Sequence, residues 1–94
     1  MINNTDPFPL GQVVATPGAL AALASTGEPA SKFLRRHAHG DWGTVDAHDW
    51  KANDDALSLG NRLVSAYKLL DGTVLWIISE ADRSATTLLL PHEY

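Results

Sequence analysis

Two histidines and an aspartate lie in the stretch HAHGD, His37 to Asp41, and imidazole and carboxylate groups are common metal ligands. A helix through His37 and His39 would point the two rings about 200° apart, so that they could not bind the same ion. A metal would require the helix to end before His37, with His48 and nearby aspartates completing the site. We expect instead that the histidines lie at a helix C-terminus, where the helix dipole favours positive charge. We therefore predict no metal site, with a weak one around His37, His39 and His48 left open.

The same stretch resembles the beginning of the metallo-β-lactamase signature, H-x-H-x-D. In that signature a further histidine follows the aspartate directly, and the superfamily needs additional ligands on a much longer chain. Here Trp42 takes the place of that histidine. We therefore reject the resemblance and expect D-W-G to form a turn, with Trp42 packed on the core.

A second set of polar residues lies in the predicted turn EADRS. Helices followed by an antiparallel sheet are the layout of barnase-like and RelE-like ribonucleases, which need a general base, a cation for the phosphate and a general acid. Glu80 could act as the base, Arg83 as the phosphate clamp, and His92 or His37 as the acid. The simpler interpretation is an exposed turn in which Glu80 or Asp82 pairs with Arg83, worth about 0–1 kcal/mol.

Aromatic residues are numerous for a chain of 94 residues, with three tryptophans and two tyrosines. Most are expected in the core, but a sheet face without helices would be an exposed apolar patch and hence an interaction surface. The leucine-rich last strand, ATTLLLP, could likewise be an open edge that accepts a partner strand. The predicted contact residues are Asp41 and Trp42 of HGDWG, Glu80, Asp82 and Arg83 of the turn, and Trp76. Contacts are also expected at the C-terminal PHEY, residues 91–94.

Composition excludes several classes of function. The net charge of −4 argues against a general nucleic-acid binder, which needs a basic surface. The chain has no cysteine, which excludes disulfides and thiolate metal sites, and it has no P-loop or G-x-G-x-x-G, so we expect no cofactor. The N-terminus MINNTDPFPL does not have a signal-peptide pattern, and no apolar run approaches the ~20 residues of a membrane span. We expect a soluble cytoplasmic protein without a membrane partner.

Three helices are predicted in the first two thirds of the chain, each with a start signal and a glycine at its end. In the second helix, apolar positions at the i, i+3, i+4, i+7 spacing share one face with His37. In the third helix we expect Trp50, Ala56 and Leu57 to be buried, with Asn53 at the edge of the buried face. The predicted boundaries are Thr16 to Gly27, Pro29 to Gly40 and Asp46 to Gly60.

The hydrophobic pattern then changes from a helical to an alternating period. NRLVSAYKLL and TVLWIIS are two apolar runs joined by Asp-Gly, one of the strongest short-range signals for a β-hairpin. A two-residue loop would place Leu69 opposite Val74, and Tyr67 opposite Trp76 on the same face. These two aromatic side chains would then form a cross-strand pair.

The remaining segments complete the expected architecture. ATTLLL is a third strand, and residues 12–15 could add a short edge strand. Residues 1–10 contain two prolines and are predicted to form an extended arm, with Phe8 and Leu10 against the body. The fold class is therefore α+β, as one domain over residues 1–94: two to three N-terminal helices packed on a C-terminal three-stranded antiparallel meander.

Several phrases of the sequence resemble a family of small bacterial proteins of similar length that are described as plasmid-related. The phrases are FPLGQVVATPGALAAL, HGDWG, DWKAND and WIISEADRSATTLLLPHEY, and the resemblance extends from Phe8 to Tyr94. It implies a bacterial cytoplasmic protein carried by plasmids or integrated elements, and it supplies neither a reaction nor functional residues. By analogy with other small proteins of such elements, we expect a non-enzymatic binding or regulatory role with a protein partner. A homodimer is left open, and a ribonuclease-type toxin is the alternative.

Overall fold

The computed structural model describes residues 7–94, so the first six residues of the predicted arm lie outside the described part of the chain. One strand and three helices are followed by three strands and a short 3₁₀ turn. The elements are β1 (Gln12–Ala15), α1 (Pro17–Thr26), α2 (Ala30–Ala38), α3 (Ala47–Leu59), β2 (Leu63–Lys68), β3 (Val74–Ser79), β4 (Ala85–Leu89) and the 3₁₀ turn (Pro91–Glu93).

The four strands form one mixed sheet in the order β1–β4–β3–β2. β2, β3 and β4 form the predicted antiparallel meander, and β1 adds parallel to β4 with Val13 opposite Thr86. The α+β class with three N-terminal helices is confirmed, but the sheet is four-stranded and mixed rather than three-stranded and antiparallel. Because β1 covers β4, the expectation that ATTLLLP forms an open edge is wrong.

The hairpin between β2 and β3 differs from the predicted register by one residue. The N–H of Gly72 donates to the carbonyl of Leu69 at 2.9 Å, and the N–H of Leu69 donates to the carbonyl of Thr73 at 2.8 Å. Gly72 has a φ of +90°, as in a turn followed by a left-handed residue, so the loop has three residues rather than two. A one-residue shift reverses the faces, and Tyr67 and Trp76 therefore lie on opposite sides of the sheet.

The helices begin and end where local sequence signals predict. The Thr16 hydroxyl caps α1, and the carboxylate of Asp46 caps α3 by accepting the N–H of Asp49 at 2.8 Å. Gly27 and Gly60 follow these two helices in the left-handed conformation. In this conformation their N–H groups donate to carbonyl groups of the last helical turn. These signals lie within a few residues of each helix end, which is why the sequence alone is sufficient to place them.

The last residues of the chain return to the start of α1. One carboxylate oxygen of Glu93 lies 2.5 Å from the hydroxyl of Thr16, and the other accepts the N–H of Gly18 at 3.1 Å. These hydrogen bonds lower the pKa of Glu93, the bond to Thr16 contributing most. The contact fixes the 3₁₀ turn against α1.

Helices cover one face of the sheet and leave much of the other open. Two buried groups form the core: Ala19, Leu23, Phe33, Tyr67, Leu69, Leu75, Ile77 and Leu88 in the larger, and Phe8, Trp42, Ala56 and Leu63 in the smaller. Phe8 is buried and Leu10 packs against the smaller group, as predicted. Each fully buried large side chain contributes about 1.5–3 kcal/mol.

Within residues 7–94, no helix is long and apolar enough to cross a membrane.

Candidate functional site

The HGDWG segment pairs with the outer edge of β2. The N–H of Thr44 donates to the carbonyl of Ala66 at 2.7 Å, and the N–H of Ala66 donates to the carbonyl of Trp42 at 3.1 Å. Gly43 has a φ of +78°, and a Cβ there would lie 1.9 Å from the carbonyl oxygen of Ala66. Only glycine fits this close approach in a left-handed conformation. The residues that directly follow the motif considered for metal binding therefore close a strand edge.

Asp41 and Trp42 were both predicted as contact residues, and both are used inside the fold. The Asp41 carboxylate accepts from Arg36 at 2.7 Å and from the N–H of Gly43 at 3.1 Å, and the bond to Arg36 lowers the pKa of Asp41. Trp42 is fully buried, and its indole N–H donates to Asp54 at 3.0 Å. Its burial agrees with the expectation that Trp42 packs on the core. Because a buried ring offers no contact surface, its prediction as a contact residue is wrong.

Asn53 forms hydrogen bonds with the remaining part of the outer edge of β2. Its amide group donates to the carbonyl of Val64 at 2.8 Å, and its side-chain oxygen accepts the N–H of Val64 at 3.1 Å. The side chain thus forms both hydrogen bonds that a neighbouring strand would form. Helical periodicity placed Asn53 only at the edge of the buried face, because spacing along α3 carries no information about the strand it meets.

His37 belongs to a chain of buried hydrogen bonds on the helix-covered side of the sheet. Its Nδ1 lies 2.5 Å from the Ser65 hydroxyl, and its Nε2 lies 2.9 Å from the Ser79 hydroxyl. Ser79 lies 2.7 Å from the hydroxyl of Thr86, which donates to the carbonyl of Leu10 at 2.7 Å. All four polar side chains have no exposed surface, so a substrate cannot reach the ring.

The Thr86 hydroxyl, at one end of this series of hydrogen bonds, fixes which group donates and which accepts in the bonds leading back to His37. Thr86 has one hydroxyl hydrogen and gives it to the carbonyl of Leu10, so Ser79 must donate to Thr86. Ser79 can then only accept from Nε2–H of His37. Burial of the ring, with the nearby charge of Arg83, lowers the pKa of His37 to about 4, so the ring is neutral near pH 7 and its Nδ1 accepts from the Ser65 hydroxyl. This histidine is structural.

Arg83 is also committed to the fold. Its Nη1 donates to the carbonyl oxygens of Asn61 at 2.7 Å and Glu80 at 2.9 Å, and its Nη2 donates to the carbonyl of Ala56 at 3.2 Å. These groups belong to the C-terminal end of α3 and to the EADRS turn, where a cation is favoured by the helix dipole. The Asp82 carboxylate accepts the N–H of Ser84 at 2.9 Å. The predicted side-chain pairing of Arg83 with Glu80 or Asp82 is therefore wrong.

Glu80 pairs with a residue that the sequence did not indicate. Its carboxylate lies 3.5 Å from Nη2 of Arg62, whose Nη1 donates to the Tyr94 hydroxyl at 2.6 Å. The Tyr94 ring meets Trp76 edge-on, with centroids 5.8 Å apart. We call these four residues the Arg62 cluster: Arg62, Trp76, Glu80 and Tyr94. Glu80, Trp76 and the PHEY segment that contains Tyr94 were predicted as places of contact. Arg62 was not, and no spacing in the sequence connects it to Tyr94, which lies 32 residues away.

The residues of the ribonuclease hypothesis do not form one site. His37 is buried on the helix-covered side, the guanidinium of Arg83 binds carbonyl oxygens, and His92 lies in the exposed 3₁₀ turn. Within residues 7–94, no hydrogen bond or ion pair joins Glu80 to a histidine. General acid–base catalysis requires its groups within hydrogen-bond reach of one substrate, and this geometry does not provide that arrangement.

The histidines considered for a metal site also lie in different surroundings. His37 is bonded to two serines, and the Nδ1–H of His39 donates to a carbonyl of α2 at 2.7 Å. His48 is exposed near the start of α3, where one of its ring nitrogens and carboxylate oxygens of Asp46 and Asp49 lie within 4.8 Å of one another. Exposed acidic groups of this kind are common at helix starts, and Asp46 is already the helix cap, so we assign no metal to them.

An open groove of about 810 Å³ lies between α3 and the open face of the sheet. Its floor is apolar and includes Trp76, which is partly exposed there, while charged side chains stand on its rim. A concave apolar surface with a few polar groups is the usual form of a binding site. The floor is formed by Val64, Ala66 and Trp76, and the rim carries Asp46 and Asp49 on α3 and Arg62 on the sheet side.

Comparison with known proteins does not assign this arrangement to a class. No protein family matches the chain, and no curated protein and no solved structure is significantly similar to it. The groove and the Arg62 cluster are therefore the observations from which a function can be inferred.

Proposed function

We propose that this protein is a small non-enzymatic binding protein that docks a partner protein in the groove between α3 and the open sheet face. The observation that carries the proposal is the position of Trp76, a large aromatic side chain left partly exposed on a concave apolar floor. Tryptophan on such a surface is the residue type most often responsible for binding energy at protein interfaces. From the resemblance of its sequence, we further propose a cytoplasmic protein encoded by a bacterial plasmid or integrated element.

The charge of the rim indicates the chemistry of the partner. Asp46 and Asp49 are exposed, while the charge of Arg62 is shared with Glu80 and the Tyr94 hydroxyl. With a net charge of −4, the chain repels phosphates and attracts basic groups. The groove therefore fits a protein segment that places an apolar side chain on Trp76 and a lysine or arginine against the two aspartates.

A capture experiment with matched variants tests this function. The baits are the wild-type protein, Trp76→Thr, Asp49→Lys and the control Leu70→Thr, whose side chain is 79% exposed in the hairpin loop and outside the groove. They are incubated with a nuclease-treated bacterial lysate, and the captured protein is purified and titrated against each variant. We expect Leu70→Thr to bind like wild type and Trp76→Thr to bind at least about tenfold more weakly. Asp49→Lys should mainly slow association.

Two results would overturn the proposal. A partner that binds Trp76→Thr as tightly as wild type would place the interface elsewhere. RNA that co-purifies without nuclease, or RNA that is degraded in the eluate, would replace the binding function with the ribonuclease hypothesis and call for Glu80→Gln as the next variant.

A further inference from the structure

The outer edge of β1 is unpaired within residues 7–94. Gln12 and Thr16 donate their N–H groups to carbonyls at the two ends of β4, at 3.0 Å each. Because alternate residues of a strand face the same neighbour, Val14 also bonds to β4, whereas Val13 and Ala15 direct their N–H and C=O groups outward. A strand edge with free backbone groups is a template for another strand.

We propose that a second copy of this chain pairs antiparallel with β1 about a twofold axis, joining the two four-stranded sheets into one of eight strands. The outward N–H and C=O groups of Val13 then form hydrogen bonds with those of Ala15 in the second copy. Ala15 bonds to Val13 of the second copy in the same way. Val14 lies on the axis, opposite the Val14 of the second copy. Such an interface is self-complementary, as a twofold contact requires.

The composition of the strand favours pairing with itself. QVVA contains no charge and no proline, so no like charges face each other across the axis. Natural sheets usually protect a free edge with charge, proline or a covering segment. Here β2 has such a cover, whereas nothing in residues 7–94 covers β1. Val13 and Val14 are 43% and 42% exposed, and the Val14 pair occupies the position where opposite residues come closest.

The size of the contact sets its strength. A stable interface buries about 800 Å² per partner, which four strand residues cannot supply alone. Antiparallel pairing keeps the helix-covered faces of both copies on the same side, and α1 begins directly after β1 with Leu20 57% exposed. Gly11 (φ +66°) and Pro17 end the pairing at both sides. The result is a dimer that dissociates on dilution.

This inference is independent of the groove, which lies beside β2 at the opposite edge of the sheet. In the dimer the two grooves lie at the far ends of the joined sheet, and both open on the same side. A partner with two matching segments would then bind both grooves.

Sedimentation equilibrium from micromolar to millimolar concentration tests the dimer. In Val13→Pro only an outward N–H is lost, since proline is tolerated on an edge strand, and the bonds between β1 and β4 remain. We expect a wild-type dimer whose dissociation constant rises at least tenfold in Val13→Pro, with thermal unfolding of the monomer unchanged. Val14→Lys brings two like charges together on the axis and should weaken the dimer most at low salt. The control Leu59→Ser alters a side chain 71% exposed on α3 and should dimerise like wild type.

A wild-type protein that stays monomeric over the whole range would overturn the proposal. So would a dimer that Val13→Pro leaves intact while Trp76→Thr dissociates it, because the contact would then lie on the open face. Should Val13→Pro not fold, Val14→Lys decides: a folded Val14→Lys that dimerises as tightly as wild type at low salt excludes an interface at β1.

Discussion

At the β2 edge of the sheet, the outward backbone groups of Val64 and Ala66 all have partners from the same chain, whereas at the β1 edge Val13 and Ala15 have none within the described residues. The β2 edge is covered by the side chain of Asn53 and by the segment around Gly43. The first contact requires an amide side chain, and the second requires a glycine. The β1 edge is short, uncharged and exposed. The comparison indicates that a chain can close one edge by itself and leave the other for a contact between molecules.

The largest effect is expected at the glycine of the closed edge. Gly43→Ala adds a Cβ 1.9 Å from a backbone oxygen of β2 and requires alanine at a φ of +78°, so we expect a loss of about 3–4 kcal/mol in the free energy of unfolding. Gly60→Ala is the matched control. It has a similar φ of +73° with nothing within 4 Å of the added atom, and should cost only about 1 kcal/mol. Urea unfolding followed by circular dichroism measures both, and equal losses would show that the close approach is unimportant.

Asn53→Ala removes the other cover of β2. It leaves the N–H and C=O of Val64 without their partners, and we expect a loss of about 2 kcal/mol. Asp55→Ala, an exposed position on the same helix, should change stability by less than about 0.5 kcal/mol. The same urea titration gives the values. Light scattering should also show increased association of Asn53→Ala, and a variant as stable as wild type would contradict the assigned role.

Acid should lower the free energy of unfolding, because the buried ring of His37 is neutral in the folded protein. The folded-state pKa of His37, about 4, is below the ordinary value of 6.5, so the unfolded chain binds the proton more readily. The stabilisation is complete above the ordinary value and is lost as pH falls toward the folded-state pKa. Between about pH 7 and about pH 5 the loss should be about 2 kcal/mol.

The control for this pH dependence is His37→Gln, which does not titrate and should be less stable but nearly independent of pH in the same range. Asp41, Glu28 and Glu93 have lowered pKa values, and carboxylates of this kind lose their stabilisation only below their ordinary values of 3.8 and 4.5. Thermal unfolding at several pH values checks this, and a wild-type curve as flat as that of His37→Gln would exclude a buried neutral histidine.

The smallest effect on folding is expected at the open edge. Val13→Lys alters a side chain that is 43% exposed and places a charge beside the free backbone groups of β1. The free energy of unfolding of the monomer should change by less than about 0.5 kcal/mol, measured at a protein concentration below the dissociation constant of the dimer. A loss comparable to that of Asn53→Ala would show that β1 is already covered within one molecule.

Local signals were sufficient to predict the helices, because Thr16, Gly27, Asp46 and Gly60 act within a few residues of themselves. The hairpin register was wrong because Asp-Gly occurs in both two-residue and three-residue loops, and the sequence does not distinguish them. The predicted register placed Tyr67 and Trp76 on one face, whereas the observed register places Tyr67 in the core and Trp76 on the open face of the sheet.

The contacts that define the site connect distant parts of the chain and could not be read from spacing. Asn53 meets Val64 from a neighbouring element, and Arg62 meets Tyr94 at the chain end. The buried chain through His37 depends on two serines from different strands whose inward direction follows only from the correct register. Exposure of Trp76 was predicted only as one of two outcomes, since it depends on which face the helices cover.

The parallel pairing of β1 with β4 also determines the order in which this protein can fold on the ribosome. β1 is synthesised first, but its only partner within residues 7–94 is the last strand, and Glu93 at the far end meets Gly18 across 75 residues of sequence. The helices and the hairpin can form earlier from local contacts, while the sheet stays incomplete until β4 has been synthesised. A nascent or truncated chain that lacks β4 therefore exposes apolar strand edges, and the addition of β4 is the step that protects those edges from aggregation and proteolysis.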